Sequence, residues 1–395
     1  MERSPMLSAE EAEAVLAAFP LPAGESETVP LSAAHGRFLA ADLLAPVDMP
    51  EFDKSAMDGY ACIAGDASPA YEITETIAAG TPPRFTVRPG RCARIMTGAM
   101  LPEGADRVVK RECTVEENGL MRIVAEDPNP NVRRRGEDLR VGDRVLSRGD
   151  RLQAAQVALL ASLGIAEAVV ARSPRVGILT TGSELVPPGP PLRPGQVYDS
   201  NSFSLAAQIR ESGAEPLVAV HVADDREATV RAIASQLESC DVLILSGGVS
   251  AGDFDYVPAA MRQAGFTLHM EKIAVQPGMP TVFASRADKI AFGLPGNPVS
   301  TFVIFEVFIK PLLLRLQGHA YRPPIVPAIM AGAFRRSRAA RSAFVPIRYE
   351  EGRATLIPYH GSAHLHALGR ANALLRVAAG EQTIPAGRTV DVRLL

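Results

Sequence analysis

Three glycine-rich segments in the middle of the chain have residue types that suit an anion-binding site. They are Thr180–Glu184, Ser246–Asp253 and Pro295–Pro298. Glycine lets backbone amides approach an anion closely, and the N-terminus of a following helix adds partial positive charge. Ordinary strand-to-helix turns also favour glycine, serine and asparagine, so one such segment is weak evidence. Three together favour a phosphate site, and the candidate ligand-binding residues are Ser246, Gly247, Gly248, Ser250, Gly252, Gly296 and Asn297.

Four acidic residues accompany these segments: Glu184, Asp224, Asp253 and Asp255. Carboxylates beside a phosphate site are typical of proteins that hold Mg²⁺ between the protein and the phosphates. The alternative is that acidic residues favour the first turn of any helix, where the helix dipole stabilises them. As a set they favour a metal site, with Glu184, Asp253 and Asp255 as the predicted ligands.

The sequence also matches a motif of a different chemistry, ester hydrolysis by a serine nucleophile. The segment Gly248–Gly252 matches the GxSxG nucleophile elbow of α/β-hydrolases, with Ser250 as the nucleophile. Such an enzyme needs a later histidine, and His269 and His319 are available. The adjacent glycine pair and the aspartates that follow fit a phosphate cradle better than an ester pocket. The hydrolase is therefore the secondary hypothesis.

The elements that must position these residues alternate between strand and helix. Short apolar runs predict buried strands at Arg175–Leu179, Pro216–Val220, Asp241–Leu245 and Lys289–Leu294. Helical spacing predicts helices at Ser202–Glu211, Arg226–Leu237, Asp255–Ala264 and Val299–Leu316. This alternation predicts a doubly wound α/β domain with a mostly parallel sheet, in which ligands bind at the carboxyl ends of the strands.

The sequence on either side of this α/β region has a different residue pattern. Ser8 and Glu11 form the pattern of a capping box, which predicts a helix that stops before Pro20. Short alternating segments and frequent turn residues predict a β-rich module from Pro46 to about Val145. After Pro323 the pattern becomes β-like again.

Composition narrows the class of protein. The 395 residues carry a net charge of −3, and the basic residues are spread along the chain, unlike those of a nucleic-acid binder. No apolar run approaches the roughly 18–20 residues that span a bilayer. The four scattered cysteines, Cys62, Cys92, Cys113 and Cys240, contain no CxxC pair and predict no zinc site. We expect a cytoplasmic protein that binds neither membrane nor nucleic acid.

Seven motifs in order along the chain resemble those of the molybdopterin molybdenumtransferase family, which includes the E domain of gephyrin. They are Phe52–Tyr60, Ile95–Ala99, Asn131–Asp138, Thr181–Leu185, Tyr198–Asn201, Ser246–Asp253 and Gly293–Ser300. The resemblance extends from about Ser8 to the C-terminus. Each motif alone is weak evidence, but seven in the family's order are highly specific.

The resemblance implies a multidomain α/β fold with four domains. A split, elongated helical domain would comprise residues 1–45 and 146–173, and a β-rich domain inserted in it would comprise residues 46–145. The α/β molybdopterin-binding domain would follow at 174–322, and a C-terminal β-barrel at 323–395.

The resemblance also implies the reaction. Adenylylated molybdopterin is bound, molybdate is inserted at the dithiolene sulfurs, and the pyrophosphate bond is cleaved to release AMP. Mg²⁺ is the implied cation, and a homodimer is the implied assembly, with the β-rich domain of one subunit facing the α/β domain of the other. An upstream enzyme that adenylylates molybdopterin is the implied supplier of the substrate.

Functional residues carry over from the family motifs by position. The implied catalytic residues are Asp58, Thr97, Asp138, Glu184, Asp224, Asp255 and Lys272. Pro295 and Pro298 match a substrate-binding loop, and Ser362 matches the serine of a late Gly-Ser turn. Glu184, Asp224 and Asp255 are thus selected twice, by the resemblance and by their positions after predicted strands.

Three positions depart from the family pattern: Lys54 stands where an asparagine is common, Ser183 stands where an acidic residue is common, and Gln276 is the third. Gln276 stands where a lysine is common, and we assign it to substrate binding. Loss of a cation there would weaken binding of molybdate or phosphate, or transfer that role to a neighbouring arginine. It also keeps open a third hypothesis, a relative that binds the pterin without turnover.

Overall fold

The structure, a computed structural model, describes residues 6–22, 24–249, 256–359, 361 and 363–395. These residues form two compact units. The larger unit comprises the described residues of Met1–Val29, Ala34–Ala40 and Val169–Leu395, and the smaller comprises Pro30–Ala33 and Ala41–Ala168. In the described chain, no helix is both long and apolar enough to cross a membrane. The bounds of the four implied domains stay a prediction.

The first helix, α1 (Ala9–Ala18), begins with the predicted capping box. The Ser8 hydroxyl accepts a hydrogen bond from the Glu11 amide (3.1 Å), and the Glu11 carboxylate accepts one from the Ser8 amide (2.7 Å). Its buried face, which includes Leu16, packs in the same apolar cluster as the strands of the α/β sheet. A strand, β1 (Ser26–Pro30), follows.

The smaller unit is rich in short strands, as its sequence predicted. In chain order they are β2 (Leu43–Leu44), β3 (Lys54–Ser55), β4 (Gly59–Cys62), β5 (Tyr71–Ile77), β6 (Arg91–Ile95), β7 (Arg107–Lys110), β8 (Thr114–Glu117), β9 (Leu120–Ile123), β10 (Val132–Arg133) and β11 (Arg144–Leu146), followed by helix α2 (Ala154–Ser162). Short 3₁₀ helices occupy Leu31–Ala33 and Arg111–Cys113.

A six-stranded sheet in the order β7-β4-β6-β5-β9-β8 forms the centre of the smaller unit. Successive side chains of a strand point to opposite faces of the sheet. Tyr60 and Cys92 accordingly pack in one buried cluster, and Ala61 and Ala93 in another. Both faces of the sheet are therefore covered by apolar side chains.

The chain continues with β12 (Glu167–Ala171), which pairs with β1. The α/β region of the larger unit then begins with β13 (Arg175–Thr181), β14 (Leu185–Val186), β15 (Val197–Tyr198), α3 (Asn201–Glu211), β16 (Glu215–Pro216), β17 (Val220–Val222), α4 (Arg226–Leu237) and β18 (Val242–Ser246). It continues with α5 (Val257–Gln263), β19 (Thr267–Met270), β20 (Val275–Gln276), β21 (Val282–Arg286), β22 (Lys289–Leu294), α6 (Pro298–Ile304), a π-helical turn (Phe305–Ile309) and α7 (Lys310–Leu316).

The sheet of this region has the order β16-β13-β18-β22-β21-β19, and β17 also pairs with β13. Strands β13, β18 and β22 are parallel, whereas β21 and β19 continue the sheet antiparallel. The mostly parallel sheet is thus confirmed, with two corrections. The predicted strand at 216–220 is divided into β16 and β17, and the antiparallel pair of β19 and β21 was not predicted.

Burial on both faces explains the apolar character of the central strands. Residues of β18 alternate between two clusters: Val242 and Ile244 belong to one, and Leu243 and Leu245 to the other. Parallel strands covered by helices on both faces have this near-continuous apolar pattern. This apolar pattern places the strands in the interior of the domain. The polar residues that follow the strands therefore lie at the edge of the sheet.

The C-terminal region contains β23 (Ile325–Met330), β24 (Phe334–Arg335), β25 (Ser342–Glu350), β26 (Arg353–Leu356), α8 (Leu365–Leu368), β27 (Ala373–Val377), β28 (Thr383–Ile384) and β29 (Thr389–Leu394). Strands β25, β26, β23, β29 and β27 pair in that order, and β27 pairs with β25 again. The ring is closed, as in the predicted C-terminal β-barrel. Closure pairs the edges that an open sheet would leave exposed.

Candidate functional site

A cavity of about 600 Å³ lies at the carboxyl ends of β13, β18 and β22 in the larger unit. Its walls contain residues of all three predicted glycine-rich segments. Of the predicted site residues, those that line it are Glu184, Asp224, Ser246, Gly247, Gly248, Gly296, Asn297 and Pro298. The sheet therefore brings together segments that are far apart in the sequence, at the edge where open parallel sheets bind ligands.

Gly247 lies close to Thr181, a residue of the first glycine-rich segment. Its φ of +103° lies in a region that other residues rarely adopt, and a Cβ atom there would lie 2.5 Å from the Thr181 carbonyl oxygen. Its amide donates a hydrogen bond to the Leu294 carbonyl (3.0 Å) at the end of β22. Only glycine fits between these neighbours without moving the loop.

Asp224 is held at the cavity by two donors. One carboxylate oxygen accepts a hydrogen bond from the Ser183 amide (3.0 Å), and the other accepts one from the Tyr256 hydroxyl (3.2 Å). Burial raises the pKa of Tyr256, so this side chain stays a neutral donor at physiological pH. The sequence marked Ser183 only as a departure from the family pattern and gave no signal for Tyr256, because nothing in the local pattern joins either residue to Asp224.

Asp199 and Asn201 line the cavity as well. They belong to the motif Tyr198–Asn201, which carried part of the family resemblance but was given no functional role. Asp199 accepts hydrogen bonds from the Ser202 amide (3.0 Å) and the Thr180 hydroxyl (3.2 Å), which ties the start of α3 to the end of β13. The motif was a signal that could have identified these residues.

The third segment is held to the helix that follows it. The Thr301 hydroxyl donates a hydrogen bond to the carbonyl of Pro295 (2.7 Å), a buried residue. Gly296 and Asn297 are exposed, and both line the cavity. The predicted loop thus presents its middle residues to the cavity, whereas Pro295 is packed in the interior.

Lys272 and Gln276 are absent from the described wall of this cavity. Lys272 is partly buried after β19, and its carbonyl accepts a hydrogen bond from the Leu7 amide (3.1 Å). Gln276 is exposed on β20, where it pairs with Ala343 of the barrel. No lysine or arginine lines the described wall at all.

Five predicted site residues lie outside the described part of the chain: Ser250, Gly252, Asp253, Asp255 and Ser362. The predicted metal ligands are therefore represented by Glu184 alone, which is exposed and lines the cavity. Within the described ranges, no group of three or more His, Cys, Asp or Glu side chains is placed to hold a metal ion.

The smaller unit carries the other predicted residues. The Asp58 carboxylate accepts hydrogen bonds from both the backbone amide and the hydroxyl of Thr97, each at 2.7 Å. These two bonds, with the charge of Arg111, hold the pKa of Asp58 below its ordinary value. Asp138 is exposed, and its amide donates a hydrogen bond to the Met49 carbonyl (2.9 Å). Asp58 and Thr97 thus form a pair.

A second cavity, of about 630 Å³, lies among α1, α7 and the barrel. It is lined mainly by apolar side chains such as Leu16, Phe308 and Phe344. None of the predicted site residues lines it. The cavity at the strand ends has the polar groups and the position expected for a phosphate-binding site, and we take it as the candidate site.

Three family models match successive parts of the chain: the MoeA N-terminal region (domains I and II) at residues 7–164, a probable molybdopterin-binding domain at 177–315, and the MoeA C-terminal region (domain IV) at 328–395. A molybdopterin molybdenumtransferase from Bacillus subtilis is 35% identical over 388 residues, which cover 94% of this chain and 90% of the relative. The chain belongs to the molybdopterin molybdenumtransferase family.

Other members of the molybdopterin molybdenumtransferase family agree with this assignment. Molybdopterin molybdenumtransferase 2 from Mycobacterium tuberculosis is 39% identical over 385 residues, covering 92% of this chain and 94% of the relative. The crystal structure of a molybdopterin biosynthesis MoeA protein from Pyrococcus horikoshii OT3 matches with a TM-score of 0.87 at 28% identity, covering 99% of this chain and 100% of the other. The resemblance seen in the sequence motifs is confirmed.

The hydrolase hypothesis gains no support from the structure or from these relatives. His269 packs against Phe19 and Phe283 and is hydrogen-bonded to the Ser285 hydroxyl (2.7 Å), and burial lowers its pKa. His319 packs against Phe38. Both histidines pack against aromatic side chains, and neither lines the cavity at the strand ends.

The Asp58–Thr97 pair generates a first prediction. Replacing Thr97 by valine removes the hydroxyl donor but keeps the backbone amide, so the pKa of Asp58 should rise toward its ordinary value. The pKa of Asp58 is depressed in the native protein, so its carboxylate stays ionised as the pH falls through the ordinary value of about 3.9. In the variant, Asp58 should become protonated at a higher pH than in the native protein. An NMR titration of the Asp58 carboxyl carbon measures this, with Thr97→Ser as the control that retains the donor. Equal midpoints for native protein and Thr97→Val would contradict the assignment.

The close approach at Gly247 generates a second prediction. Gly247→Ala should lower the free energy of unfolding, because the methyl group meets the Thr181 carbonyl and the backbone must leave its preferred conformation. The matched control is Gly195→Ala, at which φ is also positive (+85°) but no atom lies within 4 Å of the added methyl. We expect Gly247→Ala to be the less stable variant by about 1–3 kcal/mol in denaturant titrations. Similar losses in both variants would mean that the contact with Thr181 is easily relaxed.

Proposed function

We propose that this protein binds adenylylated molybdopterin and molybdate, inserts molybdate at the dithiolene sulfurs, and cleaves the pyrophosphate bond to release AMP. The observation that carries the proposal is the cavity at the ends of β13, β18 and β22, formed by segments in which Gly247 permits close backbone approach. The molybdenumtransferase activity for which its relatives are named agrees with such a site, because the reaction requires that a phosphate-linked pterin be held.

The charge distribution of the cavity supports a role for Mg²⁺. The described wall carries the carboxylates of Glu184, Asp199 and Asp224 but no lysine or arginine, so the phosphates need another source of positive charge. Carboxylate oxygens are the ligands that Mg²⁺ prefers, and it commonly bridges one or two of them to substrate phosphates. Glu184 would hold the ion, with the predicted ligands Asp253 and Asp255. A bound Mg²⁺ would neutralise charge on the anhydride as its bond breaks.

The protein's own residues position and polarise the substrate. Asp224 is fixed by Ser183 and Tyr256, so its carboxylate keeps one orientation at the cavity. The Ser246–Gly248 and Gly296–Asn297 segments supply backbone and hydroxyl groups for the phosphates. Such preorganised groups stabilise charge without rearrangement during the reaction.

The test is release of AMP from adenylylated molybdopterin by purified protein with Mg²⁺ and molybdate. We expect release that depends on molybdate, and we expect Asp224→Asn to reduce it by about 100-fold, because a positioned charge is removed. The control is Asp225→Asn at the adjacent position, which caps α4 through the Ala228 amide (2.6 Å) and does not line the cavity. Asparagine caps helices as well as aspartate does, so this variant should retain activity.

Three other outcomes would contradict the proposal. Tight binding without AMP release would identify a non-catalytic relative, and Gln276 would be the first position to restore to lysine. Equal activity of Asp224→Asn and the native protein would exclude the role of Asp224. Labelling of Ser250 by a fluorophosphonate would favour the hydrolase.

We also propose a homodimer in which Asp58 of one subunit and Asp224 of its partner serve one site. Asp58 and Asp224 belong to different compact units of the chain, and the family resemblance implies this arrangement. The test mixes two inactive variants, Asp58→Ala and Asp224→Ala, under conditions in which subunits exchange. Recovery of AMP release is expected, because one site of each mixed dimer would carry neither substitution. Sedimentation of the native protein as a 42.0 kDa monomer, or no recovery despite proven exchange, would contradict the proposal.

A further inference from the structure

The side chain of Asn201, at the start of α3, joins two of the three segments that form the cavity. Its amide nitrogen donates one hydrogen bond to the Ser246 hydroxyl oxygen and another to the Gly296 carbonyl, each at 2.8 Å. Asn201 is only 9% exposed, yet it belongs to the cavity wall. One amide group therefore links α3 to the ends of β18 and β22.

The chemistry of these partners fixes the orientation of the amide. The Gly296 carbonyl can only accept a hydrogen bond, so the nitrogen of Asn201, and not its oxygen, must face it. The Asn201 oxygen has no hydrogen-bond partner among the described residues. The side chain cannot be turned around to satisfy that oxygen without placing it against the carbonyl of Gly296.

This fixed orientation determines what the Ser246 hydroxyl can do. A serine hydroxyl can donate one hydrogen bond and accept others. Since Asn201 donates to its oxygen, Ser246 is the acceptor in that pair and retains its own hydrogen. Within the described chain, Ser246 donates to no protein acceptor, and it lines the cavity.

The charge of the cavity makes such a donor significant. No lysine or arginine lines the described wall, so neutral donors carry a larger share of anion binding there. A hydroxyl that donates to an anionic oxygen forms a charge-assisted bond, which is stronger than a neutral one. A hydroxyl that presented its lone pairs instead would repel the same anion.

We propose that Asn201 is a positioning residue that holds the Ser246 hydroxyl as a hydrogen-bond donor to a phosphate oxygen of the substrate. This inference rests on the proposed function, since it requires an anionic ligand in the cavity. Asn201 acts through Ser246 and through the Gly296 carbonyl, and Ser246 is the group that contacts the ligand.

Gln208 provides a matched control on the same helix. Its amide nitrogen also donates two hydrogen bonds, to the Phe302 carbonyl (3.2 Å) and the Glu306 carboxylate (2.9 Å), and its oxygen also has no partner in the described chain. Gln208 is 3% exposed and does not line the cavity. Loss of the Gln208 amide therefore disturbs α3 at least as much, since one of its acceptors is charged, but only loss of Asn201 affects Ser246.

The experiment is a double-mutant cycle with Asn201→Leu, Ser246→Ala and the combined variant, assayed by release of AMP from adenylylated molybdopterin. We expect each single variant to raise KM about tenfold, with a smaller change in kcat, and the combined variant to be no worse than Ser246→Ala. Gln208→Met should lower the melting temperature at least as much as Asn201→Leu does, while leaving KM within about twofold of native. Additive effects of the two single variants, or an unchanged KM in Asn201→Leu, would overturn the proposal.

Asn201→Asp keeps the inference testable if the leucine variant does not fold. Aspartate has nearly the same shape as asparagine. It loses the hydrogen bond to the Gly296 carbonyl, and its carboxylate accepts the Ser246 hydrogen and turns the hydroxyl away from the ligand. We therefore expect a larger rise in KM than for Ser246→Ala. A KM equal to the native value would overturn the proposal.

The native protein separates failure of this inference from failure of the proposed function. If the native protein releases no AMP, the proposed function fails and the role of Asn201 fails with it. If the native protein releases AMP and the Asn201 variants keep the native KM, only the inference about Asn201 is wrong.

Discussion

The parallel hydrogen-bond ladder that joins β13, β18 and β22 is the interaction on which the candidate site depends. Its register pairs Thr180 with Ser246, and Ser246 with Leu294, so the three strands end at the same level. Because the strands are parallel, the segments that follow them all emerge at one edge of the sheet. Gly247 lies between the ends of the other two strands, where the absence of a side chain allows them to approach. Any displacement of this ladder would separate the groups that line the cavity.

Burial of the sheet on both faces maintains that register. Helix α1 contributes to the cluster on one face, and α4 and α5 contribute to the cluster on the other. Some of the buried polar side chains beside this core are hydrogen-bonded to one another. Glu306, on the π-helical turn, accepts hydrogen bonds from Gln208 and Lys310. Removing either partner of a buried ion pair is costly, so these contacts constrain how α3 and the π-helical turn pack. The cavity thus lies at the edge of a sheet with a packed apolar core, and polar groups line it.

Phosphate sites commonly contain lysine or arginine, but the described wall of this cavity contains carboxylates and neutral donors and no cationic side chain. Backbone amides, hydroxyls and a metal held by carboxylates are the remaining means of binding an anion. In such a site the direction of each hydroxyl matters, since the same group can attract or repel the ligand. Ser183, Tyr256 and Asn201 each fix the direction of a neighbouring polar group, Asp224 in two cases and Ser246 in the third. The orientation of Asp224 and Ser246 at this site is therefore set by neighbouring side chains and a backbone amide.

The sequence by itself determined the family, the main strands and helices of the α/β region, the β-rich character of residues 46–145 and the barrel at the C-terminus. It also identified eight residues of the described cavity wall, because glycine, acidic residues and strand ends leave local signals. Tertiary structure alone decided which distant groups meet: Tyr256 and Ser183 on Asp224, and Asn201 between Ser246 and Gly296. It also left Lys272 out of the described cavity wall. The physical reason is that periodicity and turn chemistry act over a few residues, whereas a hydrogen bond across the sheet edge depends on strand register and helix packing that no local pattern specifies.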